Sequence, residues 1–507
     1  MTARRRTSLA VDPKTKGKKV RTLRNYINGQ WVDSSGHEVI TCLNPHNEEP
    51  IATLPAGTAE DVDTAVRSAV RAQPEWASFG LENRLDKLGH LAAVIERNVD
   101  ALVGLETEEM GKPRQVGAQF LQAGLATFEE ALRDAKTYPF TRRVKIIDSI
   151  ATDVERSAVG VVGVIVPWNF TVTTILMALG PALAAGNTVV VKPSEKASLS
   201  AVGFFELVDQ AGIPPGVVNL VLGDGHAGAP LAGHAQINLV HFTGSVATGR
   251  SVASAAATNA HRALLELGGK DPVIIDADVD VAAVAEEVAL GSYINSGQIC
   301  TSMERVYVHA DVATPFIDAL VEATKRQVVG DPTHSDTEIG PMVDAHQRRH
   351  VHRQIEAAVA AGARVLIGGQ IPDGPGYYYP PTVVVDVSGD MELMTVETFG
   401  PVAAVQVVPS FEAGVEEAKR TEYGLAATVY TSNDDHKKLA CSIPTGVLWL
   451  NGWQLGDLGR PMEPAGISGM GAVGGHLALD SMTRPMAVHY VEESRDDATP
   501  TPLATHP

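Results

Sequence analysis

Four times between Val159 and Ser245 an unbroken apolar run stops at a turn rich in glycine or proline, and this repetition constrains the fold more than any other feature. Val159 to Val166 halts at Pro167, NTVVVKPS begins at Asn187, VVNLVLG ends at Gly223, and INLVHFTGS ends at Ser245. A strand that is apolar on both faces belongs inside a sheet covered on both sides; a half-wet sheet would alternate. Helical sequence lies between the runs, as from Ser200 to Ala211. Strand, turn and helix repeated in this way predict an open parallel α/β sheet, with ligand beyond the carboxyl ends of its strands.

The pattern restarts after Glu266. DPVIID is a predicted strand, Val279 to Ser296 a long apolar helix and RVYVHA another strand, and this second α/β layer runs to about Val447. Pro380, Gly400-Pro401 and the segment from Gly452 to Gly475 punctuate it as loops. Upstream, residues 22 to 57 read as short strands, with a tight hairpin around Asn28-Gly29 in RNYINGQWV. From Thr58 the period becomes helical over Glu60 to Ala72, Arg84 to Arg97 and Asp100 to Met110. Thr137 to Ala158 is polar and alternating, an extended arm. The basic start, MTARRRTSLAVDPKTKGKKV, lacks the apolar run of a signal peptide and reads as a solvated tail.

A chain of 507 residues, 44% hydrophobic and 20% charged, accommodates more than one core, and two large domains are expected. Its 41 basic and 60 acidic side chains leave a net charge of −19, a field that opposes nucleic acid and anionic membrane. Cys42, Cys300 and Cys441 are too few and too scattered for a disulfide scaffold or a cysteine-rich metal site. A reducing compartment, the cytoplasm, fits best, and no metal site is expected.

Glu266, Gly297-Gln298-Ile299-Cys300 and Asn169 offer a carboxylate base, a thiol nucleophile and an amide donor. Attack of a thiolate on a carbonyl needs a place for negative charge, and a covalent adduct needs a route of release. Taken singly, Cys300 also reads as a small packing residue and Glu266 as a solvated turn residue. His241-Phe242-Thr243-Gly244-Ser245 leads from a strand into small-residue helical sequence, which suits either a tight turn or a backbone cradle for a pyrophosphate. The Gly244 to Gly249 spacing is GxxxxG, not the common GxGxxG. Lys192-Pro193-Ser194-Glu195 follows another strand. In a dinucleotide site, Glu195 would accept from ribose hydroxyls and repel a 2′-phosphate, favouring NAD over NADP.

PWNF at Pro167 to Phe170, KPSE at Lys192 to Glu195, FTGS at Phe242 to Ser245, ELGGK at Glu266 to Lys270, GQIC at Gly297 to Cys300 and ETFGP at Glu397 to Pro401 occur in one order. Together they resemble the aldehyde dehydrogenase superfamily, from about Asn25 to Tyr490. The resemblance implies an open parallel-sheet NAD-binding domain (22–136 and 159–269), an α/β catalytic domain (270–480), a flexible tail (1–21) and oligomerisation arms (137–158 and 481–500). It also implies a homodimer or homotetramer acting on a small aldehyde.

By the same resemblance Cys300 attacks the aldehyde, Asn169 stabilises the oxygen, and Glu266 activates water to hydrolyse a thioester. Pro167, Trp168, Lys192, Ser194, Glu195, Gly244, Ser245, Gly268, Glu397 and Phe399 would contact NAD. Glu266 further implies water, not CoA, as acyl acceptor. Phe170, Thr174, Met177, Ile299, Thr301, Gly456 and Met462 would line a substrate pocket with little fixed charge, favouring a hydrophobic or aromatic aldehyde. Arg460 opposes this if it pairs with a substrate carboxylate, as for a succinate semialdehyde; a solvated loop arginine is the other reading. A cofactor-independent esterase and a catalytically silent binding protein remain as alternatives. Two departures stand out: Ala178 where many relatives carry lysine, and Val473 where many carry glutamate.

Overall fold

The computed structural model describes residues 20–147, 150–456 and 458–491. Most of the expected tail and the last part of the second expected arm, 492–500, lie outside the described residues.

β1 (Val161–Val166), β2 (Thr188–Pro193), β3 (Val218–Leu220), β4 (Leu239–Thr243) and β5 (Arg262–Glu266) pair in parallel in the order 3-2-1-4-5. Their alternate residues feed two cores. Val162, Val164 and Val166 pack with Ile175 and Leu179, while Val161, Ile165 and Phe242 pack with Val62 and Val66. Both faces are therefore dry, as unbroken apolar runs require. The hairpin Asn25–Ile27 and Gln30–Val32 extends one edge antiparallel, turning through Asn28 and Gly29 at φ 54° and 74°. Positive φ at both turn residues is what a tight hairpin needs.

The crossovers run from β1 outward to β2 and β3, then return to β4 and β5 on the other side. The loops after β1 and β4 thus leave in opposite directions and open a crevice between them. PWNF follows β1 and Gly244-Ser245 follows β4. Helix α1 (Arg114–Thr137) packs along α2 (Thr171–Ala184), which leaves the PWNF turn, and α3 (Val246–Ala257) leaves the other.

A second sheet contains β6 (Pro272–Ile275), β7 (Arg305–His309), β8 (Arg364–Ile367), β9 (Thr382–Val385), β10 (Val402–Val408), β11 (Ala426–Tyr430) and β12 (Val447–Leu450), in the order 8-9-10-7-6-11-12. Only β8 runs antiparallel. Just Leu267 to Asp271 separates β5 from β6, so the carboxyl edge of the first sheet meets the amino edge of the second. Beyond β12 the chain returns: Gly469–Met470 pairs with β5, and helix Gly475–Ser481 packs against α1 and α2.

The expected extended arm is part of a sheet. Thr141–Ile147 and Ile150–Ala158 pair with each other, and Thr483–Val491 pairs with the latter. The apolar helix expected to reach Ser296 is shorter, spanning Val281–Tyr293, because Asn295, Ser296 and Gly297 all turn left-handed at φ 53°, 58° and 68°. At Gly297 a Cβ would lie 2.0 Å from the Gly400 carbonyl oxygen. That close approach requires glycine and swings Gln298 to Cys300 back toward the first sheet.

Candidate active site

The junction of the two sheets encloses a cavity of about 770 Å³. Asn169, Glu266 and Cys300 line it, arriving respectively from the turn after β1, the end of β5 and the loop before β7. It also brings together all the other residues singled out for cofactor and substrate except Lys192, Ser194, Glu195 and Gly456. The Lys192 ammonium is buried at the end of β2, donating to the Pro193 and Gly223 carbonyls at 2.7 and 2.8 Å. Burial draws its pKa down to about 8, against the pull of Glu195 and Asp224. The KPSE segment therefore sits one strand away from the crevice that holds Gly244. Gly456 turns at φ +86° within the loop after β12.

Asn169 is buried, and its Nδ2 donates one hydrogen to the Gln298 carbonyl at 3.1 Å; the second hydrogen of the amide is not used by that bond. This contact fixes an amide donor beside the chain leading into Cys300. Burial pushes the Cys300 thiol up to about 12, with Asp271, Glu397 and Glu266 adding to the effect. The sulfur is held as a thiol at neutral pH and needs a base as it reacts. Burial likewise raises Glu266 to about 8; Arg460 opposes the rise and Glu463 reinforces it. Its Oε1 is buried and makes no hydrogen bond to the described residues. A carboxyl poised near neutrality with an open oxygen is suited to taking and giving a proton.

Facing the crevice, Ser245 caps α3 by accepting from the Thr248 N–H at 3.3 Å, and Ser245, Val246 and Ala247 line the cavity. A helix amino terminus after a parallel strand suits an anionic phosphate. Glu397 reaches across from the second sheet, accepting from the Gly269 N–H at 3.1 Å. A Cβ at Gly268 would stand 2.2 Å from its Oε2, so the glycine is what admits that carboxylate. Trp168 and Phe399 meet edge to face at 5.4 Å on the rim. A nucleotide's phosphates, sugar hydroxyls and flat rings all find matching groups here.

The positioning network was missed by sequence reasoning. Lys270 Nζ lies 2.5 Å from Glu304 Oε2 and donates to Thr398 Oγ1 at 2.8 Å, while Glu304 accepts from the Thr398 and Phe399 N–H groups at 2.8 Å. The pair is fully buried and ties the loops bearing Glu266, Cys300 and Glu397 together. The available signal was a lone Glu304 set just before an apolar strand. Lys112 and Glu106 form a similar buried pair at 2.7 Å; Glu106 also accepts from the Val172 N–H, and the ammonium lies 4.1 Å from the Phe170 ring centre. Trp453 Nε1 donates to the Thr301 carbonyl at 3.0 Å and Gln454 Nε2 to Thr301 Oγ1 at 3.0 Å. Trp453 packs against the cluster containing Phe120, Phe170 and Ile299, while a Cβ at Gly456 would meet nothing within 4 Å. Arg460 lies with its guanidinium 5.0 Å from the Trp449 ring centre and lines the cavity with Glu266. Among the described residues no three histidine, cysteine or carboxylate side chains are grouped to hold a metal ion, and no helix is long and apolar enough to cross a membrane.

Residues 31–488 match the model of the aldehyde dehydrogenase family. The chain is 36% identical over 438 residues to chloroplastic betaine aldehyde dehydrogenase of Beta vulgaris, covering 84% of this chain and 88% of that protein. It is 38% identical over 415 residues to lactaldehyde dehydrogenase of Escherichia coli, covering 80% and 86%. The crystal structure of an Escherichia coli lactaldehyde dehydrogenase superposes with a TM-score of 0.91 at 33% identity, covering 94% of this chain and all of that one. Betaine aldehyde dehydrogenase of Staphylococcus aureus, solved in complex with NAD+, superposes with a TM-score of 0.90 at 30% identity, covering 93% and 95%. With that extent of match, built around a cysteine, a carboxylate and an amide in one cavity, the chain belongs to the aldehyde dehydrogenase family.

Proposed function

We propose that the cavity oxidises a hydrophobic or aromatic aldehyde to its carboxylic acid, with Cys300 as nucleophile, Glu266 as base and Asn169 as oxyanion donor. The chain is an NAD-dependent aldehyde dehydrogenase of the non-acylating type. The observation that carries the residue roles is that one enclosed space is lined by all three side chains and by both loops of the switch-point crevice.

Cys300 Sγ forms a bond to the aldehyde carbon while its proton passes to ionised Glu266, and the carbonyl oxygen gathers charge against the Asn169 amide. NAD, when bound, supplies the two-electron oxidant that turns the resulting thiohemiacetal into a thioester. Ser245 and the start of α3 would hold its phosphates, Glu397 a ribose, and Trp168 and Phe399 its flat surfaces. Glu266 gives the thiol proton up to solvent, and the restored carboxylate then draws a proton from water, the water oxygen bonds the acyl carbon, and the carbon–sulfur bond breaks with its electron pair going to sulfur. Release of the acid returns the sulfur to Cys300. Lys192 and Glu195, at the end of β2, would meet the adenosine end of the cofactor.

Phe120, Phe170, Met177, Ile299, Leu458 and Met462 give the substrate side its apolar character, and this supports the aldehyde class. Arg460 on the same wall favours a second reading, an aldehyde that also bears a carboxylate. Unpaired cysteines support a reducing, cytoplasmic setting. The strand Thr483–Val491, with Met486 56% and Val491 70% exposed, supports a homo-oligomer.

Aldehyde-dependent NADH formation tests the whole assignment. Wild-type protein should form NADH and benzoate one for one from benzaldehyde, and Cys300→Ala should form neither. Full turnover by Cys300→Ala excludes covalent catalysis at that sulfur, and acid release from an ester without NAD as the sole activity identifies an esterase. Preference for succinate semialdehyde over benzaldehyde and medium-chain aldehydes selects the Arg460 reading.

A further inference from the structure

Thr301 follows Cys300 directly, and both its carbonyl and its hydroxyl are taken by one loop from far along the chain. That loop, residues 451–456, leaves β12. Trp453 Nε1 donates to the Thr301 carbonyl and Gln454 Nε2 to Thr301 Oγ1, each at 3.0 Å. Trp453 also packs against the apolar cluster that contains Ile299, the residue before Cys300. The same loop therefore holds ground on both sides of the sulfur. A further bond fixes the loop itself: the Trp453 N–H donates at 2.6 Å to Glu287 Oε1, on helix Val281–Tyr293, which leads into the cysteine turn.

The backbone of this loop is strained in two places. Asn451 and Gln454 turn left-handed, at φ 59° and 50°, a region that residues with a Cβ seldom adopt. Strain of this kind persists only where contacts over-determine it. For Asn451 the contact is its own Oδ1, which accepts from the Thr431 N–H at 2.8 Å. For Gln454 it is the bond to Thr301. On the outer side Leu455 is 53% exposed and a Cβ at Gly456 would meet nothing within 4 Å, so the turn is kept from within. Gln454 lines the cavity together with Cys300 and Thr301.

We propose that Gln454 is a positioning residue for acylation: by holding Thr301 Oγ1 it sets the direction from which the Cys300 sulfur meets the aldehyde carbon. The inference rests on the function proposed above. Upstream of the sulfur, the Gln298 carbonyl is held by Asn169 Nδ2 at 3.1 Å, so the oxyanion donor steadies that side of the turn. Downstream, Gln454 and Trp453 are the anchor. Attack on a carbonyl tolerates little error of approach, and a displacement of about 1 Å can cost on the order of 10²-fold in rate. Loss of the anchor should therefore slow the steps up to NADH. Affinity for NAD should stay as it is, since neither Gln454 nor Thr301 is among the groups placed against the cofactor.

Single-turnover experiments, with enzyme and NAD in excess over benzaldehyde, read those steps in wild type, Gln454→Met, Thr301→Val, the double variant and Thr301→Ser. Gln454→Met and Thr301→Val should each slow NADH formation about 10-fold at saturating enzyme, with NAD binding unchanged. Both remove one contact, so the double variant should be no slower than the slower single, whereas independent sites would multiply their losses. Thr301→Ser, which keeps the hydroxyl, should stay close to the wild-type rate. A wild-type rate in Gln454→Met overturns the proposal, as do multiplied losses in the double variant. So does a change confined to the enzyme concentration giving half the maximal rate, which marks a substrate contact. If Gln454→Met does not fold, the Thr301 pair decides: a hydroxyl-dependent rate supports the inference, and equal rates for Ser and Val overturn it. Absence of NADH formation by the wild type with every aldehyde in the panel instead refutes the function on which the inference rests.

Discussion

Two clusters of buried ionisable groups, one around Glu304 and one around Glu266, are built in opposite ways. Around Glu304 every oxygen is used: Lys270, Thr398 and Phe399 all donate to it, and Lys270 in turn is shared with Thr398. Around Glu266 polar atoms go unpaired, with Glu266 Oε1 and His241 Nδ1 both buried without a hydrogen-bond partner among the described residues. A buried charge left alone is costly, so the first cluster has the form of a structural clamp. The second keeps hydrogen-bonding capacity that the described residues do not use. The difference separates residues that hold the loops from residues proposed to act.

Substitution should separate the clusters, beginning with the base. Glu266→Gln is expected to slow thioester hydrolysis by about 10²–10⁴-fold, the usual worth of a general base, while melting within a few degrees of the wild type, because an amide costs no more to bury than an unpaired carboxyl. Steady-state turnover and thermal unfolding on the same preparation check both halves, and a large loss of stability would erase the contrast. Glu304→Ala should do the reverse. Removing one partner of a buried pair costs about 3–5 kcal/mol, so unfolding in denaturant should shift strongly, with activity lost only in proportion to the folded or correctly closed fraction.

A smaller effect concerns pH. Burial raises Glu266 to about 8, so its basic form is scarce at pH 7 and grows as pH rises through that value. Hydrolysis-limited turnover should therefore climb with pH and reach half its plateau near pH 8; a flat profile from pH 6.5 to 9 would remove Glu266 as the limiting base. The smallest effect is expected from Arg460→Gln. Arg460 favours the ionised carboxylate, so its loss should move the half-point to higher pH and lower the rate at pH 7. Movement to lower pH would show that the guanidinium acts elsewhere, and a simultaneous loss of preference for succinate semialdehyde would assign it to the substrate.

Much of the first sheet was legible because its strands are apolar on both faces, which only a covered sheet explains. The strand ending at Glu266 was not recognised: RALLE is short and begins with an exposed arginine, so its pattern alone is ambiguous. Likewise, the helix expected to reach Ser296 ends at Tyr293, since the close passage of Gly297 against Gly400 has no signature in the helical periodicity.

The sequence by itself determined the alternation of strand and helix, the two α/β layers, and which side chains are candidates for the chemistry, since these depend on local pattern and on side-chain chemistry. Tertiary structure alone decided that the loops after β1 and β4 diverge, that Glu304 rather than another carboxylate clamps Lys270, and that Gln454 reaches Thr301. Those relations join residues far apart along the chain. They arise from strand order, register and the need to satisfy or deliberately leave open each buried polar atom, none of which any short stretch of residues encodes on its own.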